Sequence, residues 1–135
     1  MNNEAVELAA PVLLIDDDED SRVMYRTILA HAGIEVVTVT DGGDGLQVAR
    51  AVKPSVIVLD IGLPTMSGLE VLQRVRQDSA LSETVVIALT GHVLKEQQQE
   101  LVDAGFDNIL MKPIEPTTVL AAVMDAMAKI ETSSE

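Results

Sequence analysis

Short apolar runs alternate along this chain with segments whose apolar residues recur at helical spacing. Val12–Ile15 (VLLI) and residues 55–59 (SVIVL) are continuous apolar runs, the pattern of strands covered on both faces. Residues 34–39 (IEVVTV), 84–89 (TVVIAL) and Asn108–Met111 (NILM) read as three further strands. A helix is predicted over residues 19–32, closed by Gly33, the residue that suits a helix C-terminus. Asp41 is positioned to cap a helix through residue 51, and Pro54 then breaks the chain. Ser67 caps another, in which Leu69, Leu72, Val75 and Arg76 follow helical spacing. The polar segment KEQQQELVDA forms a fourth helix that stops at Gly105. Pro116 opens a fifth, with Val119, Val123, Met127 and Ile130 on one side.

Strands alternating with crossover helices imply a parallel sheet with helices on both faces. Right-handed crossovers leave few topologies. The expected fold is α/β, an open doubly wound sheet of five parallel strands in the flavodoxin-like order 2-1-3-4-5. Ligands of such sheets bind beyond the carboxyl ends of the strands, near the point where strand order reverses.

Composition narrows the function. The 135 residues fit one domain, and 47% hydrophobic content supplies a core. With one Phe, one Tyr and no Trp, that core rests on aliphatic side chains and Met. The net charge of −13, from 22 acids against 9 bases, disfavours nucleic acid and anionic membranes as partners. The absence of Cys excludes disulfides and thiolate metal sites. No run approaches the roughly 18 apolar residues of a membrane span. The opening MNNEAVELAA lacks the basic start and apolar block of a signal peptide, so a cytoplasmic location is expected. Residues 1–10 are expected to be a flexible leader, 11–131 the domain and 132–135 a flexible tail.

The polar residues at the strand ends carry the candidate chemistry. Asp16-Asp17-Asp18-Glu19-Asp20 follows the first strand, Asp60 the third, Thr90 the fourth and Lys112-Pro113 the fifth. In the expected strand order these ends converge on one crevice. Asp16 or Asp17 beside Asp60 brings like charges together, which a hard divalent cation would relieve. Mg²⁺ takes oxygen ligands and keeps several waters, so two carboxylates, one carbonyl and waters suit it. Gly62 could lend that carbonyl. Asp18 to Asp20 mostly favour the following helix through its dipole. Phosphoryl transfer needs charge stabilisation and positioning. Lys112 offers a compact positive charge, Thr90 a hydroxyl, and Gly91 a backbone that can approach closely. Taken singly, Lys112 reads as a surface lysine and Thr90 as a strand-end residue; the signal lies in four polar features at four strand ends. Asp60 is then the candidate nucleophile, since carboxylates form acyl phosphates.

The segments VLLIDDDED, VIVLDIGLPTMSG, VIALTGH and ILMKPIEP resemble those of response-regulator receiver domains of two-component signalling, over about residues 12–127. The resemblance implies that Asp16 and Asp17 form a metal-binding acid pair, with Asp17 the direct ligand and Asp16 acting largely through water. It implies that Asp60 is the phosphoacceptor, that Gly62 gives the metal-binding carbonyl, and that Thr90 and Lys112 contact the phosphoryl oxygens. It further implies a histidine kinase or histidine phosphotransfer protein as donor, a downstream protein target, a self-catalysed gain and loss of the phosphoryl group, and a monomer or weak dimer. The likeness departs at Ile109, where the family often has an inward-turning Tyr or Phe; Thr90 and its loop would then carry the signal. Ile114 replaces a common Phe, and Ser67 a common Asp. His92 lies where family side chains can tune the attacking water, although an exposed loop His is the plainer reading. Both a stand-alone relay and a receiver from a hybrid kinase fit.

Two alternatives compete. Asp16-x-Asp18 after a strand resembles the nucleophile motif of haloacid-dehalogenase-type phosphohydrolases, but that reading leaves Asp60 idle and offers only Asp125 and Glu131 as its later acids. A receiver-like interaction module that is never phosphorylated is the other, and retention of every site residue argues against it.

Overall fold

The computed structural model describes residues 10–63, 66–91 and 95–133. In chain order the elements are β1 (Val12–Ile15), α1 (Glu19–His31), β2 (Val36–Val39), α2 (Gly42–Val52), β3 (Val56–Asp60), α3 (Gly68–Gln77), β4 (Val85–Thr90), α4 (Lys95–Ala104), β5 (Asn108–Met111) and α5 (Pro116–Ser133). All strand pairs are parallel, and their order is 2-1-3-4-5, as the sequence predicts.

The strands are continuous apolar runs because both faces of the sheet are covered. Successive side chains alternate between the faces. Leu13, Ile15, Ile57, Leu59, Val86 and Ala88 join Leu46, Val71, Leu72, Val75, Leu101 and Phe106 on the side of α2, α3 and α4. Val12, Leu14, Val56, Val58, Ile87 and Leu89 join Tyr25, Leu29, Val119 and Val123 on the side of α1 and α5. Each of the two aromatic rings serves one side. Each fully buried Leu or Ile is worth about 1.5–3 kcal/mol of transfer free energy.

Element ends follow local chemistry. Asp18 caps α1 by accepting from Ser21 N at 2.9 Å, and Asp41 caps α2 by accepting from Asp44 N at 2.9 Å. Ser67 caps α3 by accepting from Glu70 N at 3.2 Å. Gly33, at φ 87°, closes α1 in the left-handed region that favours glycine. Ile34 N then donates to Leu29 O at 3.1 Å. Ile34 therefore belongs to the helix stop, and β2 begins two residues later than the apolar run alone implied. Leu69, assigned to the inward row of α3 by spacing, lies at its rim, while Val71 is buried.

The ends of the strands opposite the acids are fastened by side-chain hydrogen bonds. Ser55 Oγ donates to Ala10 O at 3.2 Å, and Thr84 Oγ1 to Pro54 O at 3.2 Å. Arg76 does more than its place in the α3 pattern suggested. Its Nη1 donates to Ser82 O at 3.0 Å and Thr84 O at 2.6 Å. Its Nη2 donates to Gly105 O and Asp107 Oδ2, both at 2.8 Å. Asp107 Oδ2 also accepts from Val86 N at 2.8 Å. One guanidinium thus ties α3 to the turns entering β4 and β5.

Candidate functional site

Register delivers the acids. Ile15 pairs with Leu59 across β1 and β3, so Asp16, the next residue, stands beside Asp60. Asp60 pairs with Leu89, which puts Thr90 one step beyond it on β4. Thr90 pairs with Met111, and Lys112 follows. Lys112 N donates to Thr90 O at 2.7 Å, holding the two strand ends together. Asp16, Asp60 and Thr90 are buried, whereas Asp17 is exposed.

The carboxylate of Asp60 is held at both oxygens. Oδ1 accepts from Gly62 N at 3.0 Å, and Oδ2 pairs with Lys112 Nζ at 3.1 Å. The loop that carries Gly62 returns to Gly68, whose N donates to Ile61 O at 3.1 Å. A Cβ on Gly68 would lie 2.8 Å from Ile61 Cα and 3.2 Å from Asp60 O, so only glycine allows this close approach of backbone behind the acid. Sequence reading assigned Gly68 no role; a glycine directly after an N-cap was the available signal. At Gly91, by contrast, an added Cβ would meet nothing within 4 Å. His92 and Pro64 lie outside the described residues, as do residues 1–9 of the leader and residues 134–135 of the tail.

Asp16, Asp17 and Asp60 each offer a carboxylate oxygen, and these oxygens all lie within 4.8 Å of one another. At that separation a buried pair such as Asp16 and Asp60 repels by on the order of 3 kcal/mol at an effective dielectric of about 20. Lys112 supplies one countercharge. Asp16 Oδ1 accepts from Asp18 N at 2.9 Å, while Oδ2 is buried and, among the described residues, has no hydrogen-bond partner. An orphaned buried carboxylate oxygen within a cluster of three acids fits a hard divalent cation, and these residues could hold one.

The electrostatics agree. Burial, helped by the charges of Asp60 and Asp17 and opposed by the Asp18 amide and Lys112, raises the pKa of Asp16 to about 6. Burial acts against the Lys112 ammonium, but the hydrogen bond and charge of Asp60, with the charge of Asp16, outweigh it and hold its pKa above the usual value. The Asp16 shift has a consequence for stability. The unfolded carboxyl titrates near 3.8 and the folded one near 6, so the folded state binds the proton more tightly. Asp16 is therefore least unfavourable below the lower value and most unfavourable above the upper one. Without divalent cations, Asp16→Asn is expected to raise unfolding stability at pH 7 by about 1–3 kcal/mol, and by much less at pH 4. Urea unfolding of both proteins in chelator at the two pH values checks this; an Asn variant no more stable than wild type at pH 7 contradicts it.

Asp18, the second acid of the phosphohydrolase-like pair, is spent elsewhere. Its Oδ2 caps α1 through Ser21 N, and it is exposed. Asp125, one of the later acids that reading needs, is exposed on α5. A groove of about 650 Å³ between α2 and α3 contains none of the strand-end residues. Its arginines are already paired, Arg50 with Asp78 at 3.3 Å and Arg74 with Glu70 at 3.0 Å.

Comparison with known proteins agrees with this geometry. Residues 12–124 match the response regulator receiver domain. The polar-differentiation response regulator DivK of Brucella anthropi is 31% identical over 103 residues, covering 76% of this chain and 84% of DivK. The chemotaxis response regulator CheY4 of Vibrio cholerae superposes with a TM-score of 0.81 at 34% identity, covering 87% of this chain and 98% of that one. A CheY-like receiver domain protein from Methanospirillum hungatei gives a TM-score of 0.85 at 26% identity, covering 93% and 98%. Receiver domains take phosphoryl groups from histidine kinases and signal to downstream targets, and the phosphohydrolase alternative is not favoured. The chain belongs to the response regulator receiver domain family, the phosphoacceptor signalling domains of two-component systems.

Proposed function

We propose that Asp60 is the phosphoacceptor of this receiver, and that it takes a phosphoryl group from a partner phosphohistidine in a Mg²⁺-dependent reaction. The observation that carries this is the pairing of a buried Asp60 with Lys112 beside the orphaned Asp16 oxygen. Asp16 and Asp17 with Asp60, and the Gly62 carbonyl, would hold the cation. When bound, Mg²⁺ supplies positive charge that neutralises these acids and the phosphoryl oxygens. An Asp60 carboxylate oxygen attacks phosphorus in line. The donor's N–P bond breaks, and its electron pair returns to the imidazole, which takes up a proton. Lys112, already within 3.1 Å of Asp60, turns its ammonium to the new oxygens, and Thr90 contributes its hydroxyl. Hydrolysis with the domain's own assistance returns Asp60 to a free carboxylate.

The donor docks over the acids beside α1, where Val23 and Met24 expose apolar surface. The signal leaves through α4, β5 and α5. In support, Met111, next to Lys112, accepts at its sulfur from Gln98 Nε2 of α4 at 3.0 Å. Ile109 packs with the cluster on the α2–α4 side, which is consistent with switching through Thr90 and its loop instead of an aromatic ring. None of the described helices is long and apolar enough to cross a membrane. The domain spans residues 11–131, acts in the cytoplasm, and is a monomer or weak dimer.

Incubation with phosphoramidate or acetyl phosphate tests the chemistry. One phosphoryl group is expected on the Asp60 peptide by mass spectrometry with Mg²⁺, and none in chelator. Labelling of another residue, or labelling indifferent to chelator, refutes the proposal. Rapid transfer from one histidine kinase among those screened would identify the donor.

A further inference from the structure

Arg22 is a charged side chain that the chemistry above leaves unused. Its Nη1 donates to the backbone carbonyl of Asp16 at 3.0 Å, reaching back across six positions from α1. Its own amide donates to Asp18 O at 2.9 Å. The amide's hydrogen bond is the ordinary first bond of α1, so the contact particular to Arg22 is that of its guanidinium with the carbonyl just before Asp17. The far side of the turn is fixed as well, because Asp16 N donates to Val39 O at 3.1 Å. Among the described residues no carboxylate lies within ion-pair distance of Arg22, so its guanidinium is committed to that carbonyl. The location is unfavourable for a cation in itself: Arg22 follows the acidic first turn of α1, where the helix dipole disfavours positive charge.

We propose that Arg22 is a positioning residue for the cation site, holding the Asp16 carbonyl so that the Asp16 and Asp17 carboxylates stay turned toward Asp60 despite their mutual repulsion. This rests on the Mg²⁺-dependent reading above. The alternative role for Arg22 is that of a nearby positive charge, and the two roles differ in sign. Removing a positive charge from beside an anionic site tightens cation binding by Coulomb attraction. Removing a group that orients the ligands loosens it, by about 10-fold or more for partners outside the ligand set.

Mg²⁺ titrations of the full chain decide between them. The emission of Tyr25, the one Tyr in a chain without Trp, is a suitable readout; the ring is buried and senses the charges of Asp16 and Asp60. Arg22→Gln is expected to raise the Mg²⁺ Kd about 10-fold. Arg22→Lys, which keeps one donor, is expected to stay within about 3-fold of wild type. In the Mg²⁺-free protein, amide exchange at residues 17 and 18 should quicken in Arg22→Gln while exchange in β3 and β4 is unchanged. Wild-type binding with an Arg22→Gln Kd equal to or lower than wild type overturns this proposal and leaves the cation reading intact. Failure of the wild-type protein to bind Mg²⁺ overturns both.

Discussion

Replacing Asp60 by Asn is expected to cut phosphoryl incorporation from phosphoramidate by at least about 100-fold. The amide lacks the charged oxygen that attacks phosphorus in the proposed reaction, and it gives Lys112 no counter-ion. The fold should survive. Asn can still accept from Gly62 N through its oxygen, and one of the three clustered negative charges disappears. The change thus separates chemistry from stability, since the variant should unfold no earlier than wild type while losing its label. Quantitative mass spectrometry with and without Mg²⁺ reads the first property, and urea unfolding reads the second. Wild-type labelling of the Asn variant would exclude Asp60 as acceptor. Turnover of a generic phosphate ester that needs Asp16 but not Asp60 would revive the phosphohydrolase reading.

Arg76→Ala is expected to lower stability by about 2–4 kcal/mol, a fall in Tm of roughly 6–12 °C. Four acceptors lose a charged donor together: Ser82 O, Thr84 O, Gly105 O and Asp107 Oδ2. Water can reach part of the vacated space, because the Arg76 side chain is 25% exposed, which keeps the figure below that of a fully buried ion. Arg76→Lys should recover less than half, since an ammonium cannot fork to carbonyls on two turns. Arg74→Ala serves as the control. Its pair with Glu70 is exposed on both sides and should be worth no more than about 0.5 kcal/mol. Similar midpoints for Arg76→Ala and Arg74→Ala would show that the guanidinium is not a fastening.

The strands and the convergence of Asp16, Asp60, Thr90 and Lys112 were legible in the sequence because they follow from period and position. Continuous apolar runs identify strands covered on two faces, and parallel register then fixes what stands beyond each end. Two helix starts were legible for the same reason, as Asp41 and Ser67 carry their own capping chemistry, whereas Asp18, read only as favouring the helix dipole, proves to cap α1. What escaped was tertiary and polar. Arg76 bonds to partners up to 31 positions away, and such pairing leaves no periodic trace. A charged residue on the inward row beside Leu72 and Val75 was the hint. Gly68 and Arg22 escaped likewise, because a close backbone approach and a side chain gripping a carbonyl become visible only once the chain is folded. Ile34 was misassigned because a helix stop borrows an apolar residue just as a strand does.

The fastenings at Ser55, Thr84, Arg76 and Asp107 gather at one rim of the sheet, and the acids at the other. Between the rims run strands about 16 Å long in the case of β3, stiff along their length. The separation runs one way only. A variant hardened at the rim of Ser55, Thr84 and Arg76 for heat resistance should keep its phosphorylation rate, whereas a substitution among the acids, such as Asp16→Asn, alters reactivity and melting point together.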